Sequence, residues 1–303
     1  MSTRKILTLD RPRVLGILNI TPDSFSDGGE VTTPALAAAV AVQMVRDGAD
    51  GVDIGGESTR PGAKPVSERE QIARVVPVIR SVRRAVGPKA VITIDTTRAK
   101  VAAAALKAGA DAVNDVSAGT DDAGMFKLVK RAGCGLILMH RAAKPQSDRY
   151  SDRYAGDEPM RGDVVLTVAE FLARRAVEAI EFGINARSLM IDPGLGFGKT
   201  VEQNLELIRR TGELAALGYP VMSALSRKSF VARAMMKPGE KGEPVGVKER
   251  LAGTIALSVV QMFAGARVFR VHDVKAMSEA LSAAWAANPA GVDDRIGGLQ
   301  GVR

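Results

Sequence analysis

Polar or charged side chains stand at the ends of eight short apolar runs of the chain. These end residues are Asn19, Asp53, Asp95, Asn114–Asp115, Met139–His140, Asp192, Ser226–Arg227–Lys228 and Arg270–Val271–His272. A single Asp or Asn at such a position commonly starts a turn or caps a helix. Because all the runs end in this way, we interpret the set as one shared site that offers carboxylates, amides and cations to a substrate.

Three segments have the side chains that bind anions. Ser226–Ser229 follows an apolar run and opens a predicted helix, so its N–H groups, the helix dipole and two cations are expected to point one way. Arg270 and His272 alternate along the last run and are therefore expected on the same side of it. Thr59–Gly62 adds a hydroxyl and a guanidinium on a loop shaped by Pro61. Together they predict a pocket for a phosphate-like anion.

Asp95 and Asp192 each end an apolar run with no helical cation adjacent in sequence. A carboxylate in a partly dry pocket needs a hydrogen-bond donor or a cation, and the paired N–H groups of a guanidine-like heterocycle would satisfy one well. Ile191–Lys199 is rich in glycine, but the spacing of its glycines fits neither a P-loop nor a dinucleotide fingerprint. We therefore reject both nucleotide-binding interpretations.

The elements that must position these residues alternate along the chain between short β-branched runs and longer segments of helical period. The predicted strands are Val14–Ile20, Gly51–Gly55, Ala90–Asp95, Ala112–Val116, Gly135–His140, Ser188–Asp192, Pro220–Leu225 and Arg267–Val271. The predicted helices are Pro34–Asp47, Ser67–Val86, Ala99–Ala108, Ala123–Ala132, Asp163–Phe182, Glu202–Leu217, Arg250–Ala264 and Val274–Ala287. Thr33 before Pro34 predicts a helix start, and glycines 109, 133, 183 and 218 predict helix ends.

This alternation predicts an α/β fold of parallel strands, and eight such units favour a closed (β/α)8 TIM barrel over an open doubly wound sheet. In a barrel the carboxyl ends of all strands face one rim, where active sites are built. We predict a single domain: a barrel over 14–287, preceded by an extension at 1–13 and followed by a flexible tail at 288–303. Arg141–Gly162 and Lys237–Lys248 are predicted to be mobile excursions.

Composition excludes several classes of function. The 303 residues are 46% apolar with a net charge of +8, but aromatics are only 4%, which argues against nucleic acid as a partner. No apolar run approaches roughly 18 residues, and no hydrophobic signal core is visible, so we expect a cytoplasmic protein without a membrane anchor. The lone Cys134 fits a reducing compartment. With two histidines a zinc site is not expected, whereas a hard divalent ion bridging phosphates stays compatible.

The motifs together resemble the dihydropteroate synthases, a family of pterin-binding enzymes, from Leu15 to about Lys275. The markers are Gly16–Gly29, Asp53–Gly62, Ile94–Thr96, Asn114–Val116, Ile191–Thr200, Ser226–Phe230 and Arg270–Val274. The resemblance implies a TIM barrel that condenses 6-hydroxymethyl-7,8-dihydropterin pyrophosphate with p-aminobenzoate, and small-molecule substrates as the partners of a homodimer. It also implies that Thr21–Gly29 and Thr59–Pro61 are mobile loops that close over the site.

The family's roles can be carried over by position. The pterin-binding set would be Asp95, Asn114, Met139, Asp192, Phe197 and Lys228. The pyrophosphate-binding set would be Asn19, Thr59, Arg60, Arg270 and His272, with Asn19 as a ligand of Mg²⁺. The p-aminobenzoate pocket would be formed by Phe25, Thr59, Pro61, Arg227 and Ser229. The catalytic residues would be Asp95, Lys228, Arg270 and His272.

The chain departs from the family pattern after its fifth predicted strand. Met139–Pro145 lacks the usual glycine and adds the cations Arg141 and Lys144. This departure keeps open a catalytically silent pterin-binding paralogue. A second alternative, which shares the barrel and the pterin carboxylates, is a pterin-binding methyltransferase that passes a methyl group to a corrinoid. The latter would have no reason to keep the Asn19–Gly29 loop or Ser226–Ser229.

Overall fold

The strands form one closed parallel barrel. The computed structural model describes residues 7–287 except 21–32, 155, 238–239 and 241. Its strands are β1 (Arg13–Asn19), β2 (Gly51–Gly55), β3 (Val91–Asp95), β4 (Ala112–Asp115), β5 (Gly135–Met139), β6 (Leu189–Asp192), β7 (Met222–Ser223) and β8 (Val268–Val271). The strand order is β6-β5-β4-β3-β2-β1-β8-β7, and a parallel bridge between Ile191 and Val221 joins the two ends. The predicted closed barrel is confirmed, and the open sheet is excluded.

Helices follow the strands on the outside. They are α1 (Pro34–Arg46), α2 (Glu68–Val86), α3 (Ala99–Ala108), α4 (Met125–Ala132), α5 (Val164–Glu181), α6 (Val201–Arg209), α7 (Thr211–Ala215), α8 (Ser229–Ala234), α9 (Leu251–Phe263) and α10 (Val274–Ala286). The sequence predicted one helix over Glu202–Leu217, but it breaks at Arg210. The hydroxyl of Thr211 donates to the carbonyls of Leu207 at 2.8 Å and Ile208 at 3.1 Å, which are backbone acceptors in the last turn of α6.

Several helix boundaries follow from local chemistry that the sequence already showed. Thr33 caps α1 by accepting a hydrogen bond from the N–H of Leu36, and Pro34 occupies the first turn. Thr200 and Gln203 form a reciprocal capping box at the start of α6. Gly133 ends α4 in the left-handed conformation, with φ at 58°.

The two faces of each strand have different neighbours. On β3, Ile92 and Ile94 are buried in the large apolar core between strands and helices, whereas the hydroxyl of Thr93 bonds Asp53 of β2 inside the barrel. Successive side chains of a strand point to opposite faces, so residues two apart share the interior. A small apolar cluster that includes Leu15, Ile137, Met222 and Val268 fills the lower interior.

This alternation sorts the predicted strand-end residues. Those that share the interior parity are Asn19, Asp53, Asp95, Asn114, Met139, Asp192 and Arg270. Asp115 and His140 have the opposite parity, so the prediction that they converge on the same pocket is wrong. Asp115 accepts bonds from Ser117 and Gly119 in its own loop, and His140 packs edge-on against Phe171 of α5.

The excursion after β5 was predicted to be mobile, but its described residues are closely packed against the barrel rim. Pro145–Ser147 and Ser151–Arg153 are short 3-10 helices. Asp148 and Ser151 are buried, and Asp148 accepts hydrogen bonds from Tyr154 and from the backbone of Gly198. The polar composition of the segment led to the prediction of a mobile loop. In the structure those polar groups form hydrogen bonds with the rim instead.

The ends of the predicted domain lie partly outside the described residues. β1 begins at Arg13, the last residue assigned to the N-terminal extension, and its guanidinium bonds the carbonyl of Thr8 at 2.6 Å and Asp50 at 3.0 Å. The predicted tail at 288–303 and the whole of the predicted Thr21–Gly29 loop, including Phe25, fall outside those residues. In the part of the chain that the structure describes, no helix is long and apolar enough to cross a membrane.

Candidate active site at the carboxyl rim

A solvent-open cleft lies at the carboxyl rim of the barrel. Its walls come from the loops that follow β2, β3, β4 and β5. Among the lining residues are Thr59, Asp95, Val116 and Arg141. The cation that the sequence flagged as a departure therefore forms part of the wall, where Arg141 pairs with Asp121 at 2.5 Å.

Arg270 joins two carboxylates at the bottom of the site. Its Nε donates to Asp53 at 2.5 Å and its Nη2 donates to Asp95 at 2.9 Å. Asp53 is fully buried and also accepts bonds from Thr93 and, at 3.1 Å, from the Nδ2 of Asn114. The sequence marks Asp53 only as a strand end. Its interior parity on β2 was the signal that could have identified it as the residue that orients Arg270 and Asn114.

Burial dominates the ionisation of the acidic groups. It raises the pKa of Asp95 to about 7, against the lowering effect of Arg270 and with a further raising effect of Asp53. Burial also raises the pKa of Asp192, which Lys228 opposes. The pKa of Arg270 is raised despite its burial, because Asp53 and Asp95 stabilise its charge.

Asn114 has an unused acceptor. Its side chain is 2% exposed, its Nδ2 is engaged by Asp53, and its Oδ1 has no hydrogen-bond partner among the residues that the structure describes. A buried polar atom without a partner costs free energy, so native proteins rarely keep one without a ligand or a water to match it. Because Asn114 pairs with Asp95 in the strand register, the two acceptors stand side by side.

Asp192 and Lys228 add a further acceptor and a donor. Asp192 is buried and uses one oxygen, Oδ1, to accept the N–H of Gly194 at 2.7 Å. Lys228 donates to the carbonyl of Leu195, and its Nζ lies 4.4 Å from the centroid of the Phe197 ring. Burial lowers the pKa of Lys228 to about 8, opposed by the charge of Asp192.

An apolar group borders these polar atoms. Val116, Met139 and Phe197 form a separate buried cluster rather than joining the main core. Met139 pairs with Asp192 in the strand register, which places the cluster beside the carboxylate. The combination of apolar walls, three acceptors and one cation suits a flat, donor-rich heterocycle.

His272 lies at the rim beyond Arg270. Its Nδ1 is 3.0 Å from the hydroxyl of Ser226, which also accepts the backbone N–H of His272 at 3.2 Å. That hydroxyl already accepts one bond, which favours donation of its own hydrogen to Nδ1, and in that tautomer the ring proton is on Nε2. Burial and the charge of Arg227 lower the pKa of His272 to about 3, so the ring is neutral.

The two cations of Ser226–Ser229 do not point the same way, so that prediction is wrong. Arg227 adopts a left-handed backbone conformation with φ at 59°, which turns its guanidinium to Asp273 at 2.9 and 2.5 Å. Lys228 instead extends to the loop after β6. The hydroxyl of Ser229 is also engaged, because it accepts the N–H of Ser151 from the excursion at 3.2 Å.

The second predicted loop lies at the edge of the cleft. Thr59 lines the cleft, Arg60 is exposed, and Pro61 is half-buried. The N–H of Gly62 donates to the carbonyl of Pro145 at 2.8 Å, which ties this loop to the excursion. The predicted assignment of these residues to pyrophosphate and p-aminobenzoate stays a prediction.

Asn19 and Asp95 lie on either side of Gly55 in the strand register. Gly55 separates them: a Cβ on that glycine would lie 3.4 Å from the Oδ1 of Asn19 and 3.6 Å from the Cβ of Asp95. In the described part of the chain, no group of three His, Cys, Asp or Glu could hold a metal ion by itself. An ion at Asn19 could complete its coordination with oxygens of a substrate and of water.

Comparison with known proteins gives the same family throughout. The model of the family described as "Pterin binding enzyme" matches residues 15–272. A dihydropteroate synthase of Streptococcus pyogenes is 41% identical over 276 residues, which cover 91% of this chain and 96% of the relative. The structure of Xanthomonas albilineans dihydropteroate synthase with 4-aminobenzoic acid matches with a TM-score of 0.80 at 40% identity, covering 94% and 95% of the two chains. A second structure of that enzyme, in complex with 7,8-dihydropteroate, matches with a TM-score of 0.78 at 37% identity, covering 95% and 97%.

Proposed function

This chain belongs to the pterin-binding enzyme family, and on that premise we propose that it is a transferase of the dihydropteroate synthase type. It condenses 6-hydroxymethyl-7,8-dihydropterin pyrophosphate with p-aminobenzoate, which yields 7,8-dihydropteroate and pyrophosphate in folate biosynthesis. The relatives of that name align over nearly their whole length, and the solved neighbours bind the arylamine and the product.

The observation that carries the proposal is the unsatisfied acceptor of Asn114 beside two buried carboxylates. The guanidine-like edge of a pterin presents paired N–H donors, which would satisfy the Oδ1 of Asn114 together with Asp95 or Asp192. Its ring carbonyl needs a donor, and Lys228 offers one. Val116, Met139 and Phe197 provide the apolar contact for the ring faces.

The leaving pyrophosphate would be received at the rim. Arg270 carries a fixed positive charge, and neutral His272 offers an Nε2–H donor once Ser226 holds its Nδ1. Such preorganised donors stabilise the charge that develops on a leaving group. Pyrophosphate leaves with the electrons of the C–O bond, and Asp95, once ionised, would face the cation left on the pterin methylene. The arylamine nitrogen, which is unprotonated at neutral pH, attacks this carbon without a strong base and then releases one proton to water.

Magnesium is part of the proposal. The amide oxygen of Asn19, across Gly55 from Asp95, is a hard ligand of the kind that Mg²⁺ accepts, and phosphate oxygens would supply others. The ion would neutralise charge on the departing pyrophosphate.

The oligomeric state and the compartment are also proposed. We expect a homodimer, because α9 exposes the apolar side chains of Val260 and Phe263. A cytoplasmic location accords with Cys134, a buried free cysteine.

The deciding experiment measures release of pyrophosphate that depends on p-aminobenzoate, with the purified chain. We expect release only when pterin pyrophosphate, Mg²⁺ and p-aminobenzoate are all present. The variant Asp192→Asn tests the pterin site in the same assay. Loss of its charge-assisted bonds should weaken pterin binding by about 1.5–3 kcal/mol without unfolding the barrel. Pterin binding without turnover would indicate the silent paralogue, and methyl transfer to a corrinoid would indicate the methyltransferase.

A further inference from the structure

Lys199 is a fully buried lysine whose ammonium group faces backbone oxygens. Its side chain is 0% exposed, and its Nζ donates to the carbonyls of Gly194 at 2.8 Å, Phe197 at 3.0 Å and His140 at 3.5 Å. Burial lowers the pKa of Lys199 to about 7. In its charged form the ammonium has three N–H donors, so these three acceptors satisfy all of them. Burying a charge is costly unless it is fully hydrogen-bonded. This complete set of contacts therefore indicates that Lys199 stabilises the backbone around it.

The carbonyls reach the ammonium because the backbone of Gly194–Gly198 alternates in conformation. Gly194, Gly196 and Gly198 have φ values of 65°, 79° and 64°, in the left-handed region that favours glycine. There is also no room for side chains. A Cβ on Gly194 would lie 1.7 Å from the carbonyl oxygen of His140, and one on Gly198 would lie 2.8 Å from the Cβ of Ala142. We call residues 194–198 the glycine loop.

The N–H groups of the glycine loop are held by other side chains. Gly194 donates to Asp192 at 2.7 Å, and Gly196 donates to the Oδ1 of Asn204 at 2.6 Å. Gly198 donates to both carboxylate oxygens of Asp148, at 3.0 and 3.2 Å. The loop is therefore held by acceptors on its N–H groups and by Lys199 on its carbonyls. Loss of the ammonium would remove one hydrogen bond each from the carbonyls of Gly194 and Phe197 and from that of His140, which precedes the loop in the chain.

The glycine loop in turn sets the position of Lys228. The carbonyl of Leu195 accepts the ammonium of Lys228, and the ring of Phe197 lies under it at 4.4 Å. The stem of Lys228 runs over Gly196, where a Cβ would lie 2.7 Å from its Cδ. A change in loop shape would therefore move Lys228 and Phe197 together.

We propose that Lys199 is a positioning residue, whose ammonium holds the glycine loop in the shape that presents Lys228 and Phe197 to the pterin. The identity of the ligand rests on the proposed function, whereas the loop contacts do not. Arg270 and His272 lie on β8 and beyond it, outside the loop, so an anion held there is independent of Lys199. Lys199 thus governs one half of the substrate and leaves the other half unaffected.

The test is the variant Lys199→Met, which keeps an unbranched apolar side chain and removes the ammonium. Its matched control is Thr211→Val, which removes a buried hydroxyl bonded to Leu207 at 2.8 Å on the outer helices. Calorimetric titrations use 6-hydroxymethylpterin and, separately, inorganic pyrophosphate with Mg²⁺. We expect Lys199→Met to bind the pterin about tenfold more weakly or worse, with unchanged pyrophosphate affinity. Thr211→Val should bind both as the parent protein does.

A second measurement tests the loop without any ligand. In Lys199→Met the amide protons of Gly196 and Gly198 should exchange with solvent about tenfold faster than in the parent or in Thr211→Val. Unchanged exchange, or equal loss of pterin and pyrophosphate affinity, overturns the inference. If the parent protein binds no pterin, the proposed function fails and the exchange rates alone decide whether Lys199 holds the loop. Should Lys199→Met not fold, Lys199→Gln takes its place with the same readouts.

Discussion

Arg270 is bound on both sides before any substrate arrives. Asp53 holds its Nε at 2.5 Å and Asp95 holds its Nη2 at 2.9 Å, while Asp53 is 0% exposed. Removing one partner of a buried ion pair leaves an uncompensated charge, which costs more than the pair itself contributes. Arg270 is therefore the counterion that the two carboxylates require, and we propose that it also binds the anion, whereas His272 is proposed to have only the second role.

The two rim residues should accordingly differ when replaced. His272→Ala should weaken binding of pterin pyrophosphate far more than binding of the bare pterin, because His272 touches only the anion side. Arg270→Ala should weaken both and should also lower the free energy of unfolding by about 3–5 kcal/mol, because two buried carboxylates lose their cation. Calorimetry with both ligands and urea unfolding measure these effects. Equal losses for both ligands in His272→Ala would remove it from the pyrophosphate site.

Asp95 predicts a pH dependence of stability. Its pKa is raised from 3.8 to about 7 in the folded protein, mainly by burial. Between these values the native state keeps a proton that the unfolded chain has lost, so its contribution to stability is present at low pH and is lost as pH rises through 7. Asp95→Asn should therefore gain Tm relative to the parent as pH rises from 4 to about 7, while losing pterin affinity. A Tm difference that does not change with pH would contradict this.

The sequence predicts those site residues that combine a polar side chain with a position at the end of a strand. Asn114, Asp192 and Arg270 could be predicted because alternation along a strand decides which face they share. Lys199 could not, because nothing in a lysine after a glycine run says that its ammonium turns inward. The direction of the Arg227 side chain could not be predicted either, because it depends on a positive φ that no local sequence pattern indicates.

At the scale of elements, the described loops of the rim are bonded to one another. The glycine loop has fixed contacts on both sides, and the excursion after β5 is bonded to it through Asp148 and to the second loop through Pro145. The excursion therefore braces the loop that carries Thr59 and Pro61. Its polar composition misled the sequence prediction, since buried polar contacts and solvated loops use the same residue types.

The glycine loop should tolerate no side chain at its first position. Gly194→Ala places a Cβ 1.7 Å from a backbone oxygen at φ 65°, so the loop must move, at a cost of about 3 kcal/mol or more. Gly133→Ala is the matched control, because Gly133 has φ 58° but no atom within 4 Å of the added Cβ. It should cost about 1 kcal/mol and leave pterin affinity intact. Urea unfolding and calorimetry compare the two, and similar effects would mean that the close approach is not limiting.

The pocket for p-aminobenzoate should be completed by its loops. The second loop is already tied at Gly62, while the predicted Thr21–Gly29 loop with Phe25 is the part expected to close with pyrophosphate. We expect p-aminobenzoate to bind at least about tenfold more tightly with pyrophosphate, Mg²⁺ and a pterin present, a coupling of about 1.4 kcal/mol. Equal affinity in paired titrations would indicate a preformed pocket.

At the scale of the whole molecule, the barrel was predictable because each unit repeats one strand and its helix, and the eight strand ends were visible as polar interruptions. What the sequence did not show is how unequal the strand contacts are. β8 and β1 share four register pairs, whereas β6 and β7 meet through the single bridge of Ile191 and Val221. β7 itself has two residues.

The unequal contacts around the barrel bear on where the polypeptide can be cut. The first and last strands of the barrel, β1 and β8, are neighbours and share four register pairs. In addition, α10 packs with Val14 of β1. At the weak contact, β6 and β7 are joined covalently by the segment that contains α6 and α7. A circular permutant with new termini at Gly218 would place the covalent gap at that weak contact, whereas one cut at Gly133 would gap the four-pair contact of β4 and β5. The Gly218 permutant should melt at the lower temperature and lose protection at the amide of Ile191. The contact between β8 and β1 therefore depends on hydrogen bonds, whereas the contact between β6 and β7 depends on the covalent connection between those strands.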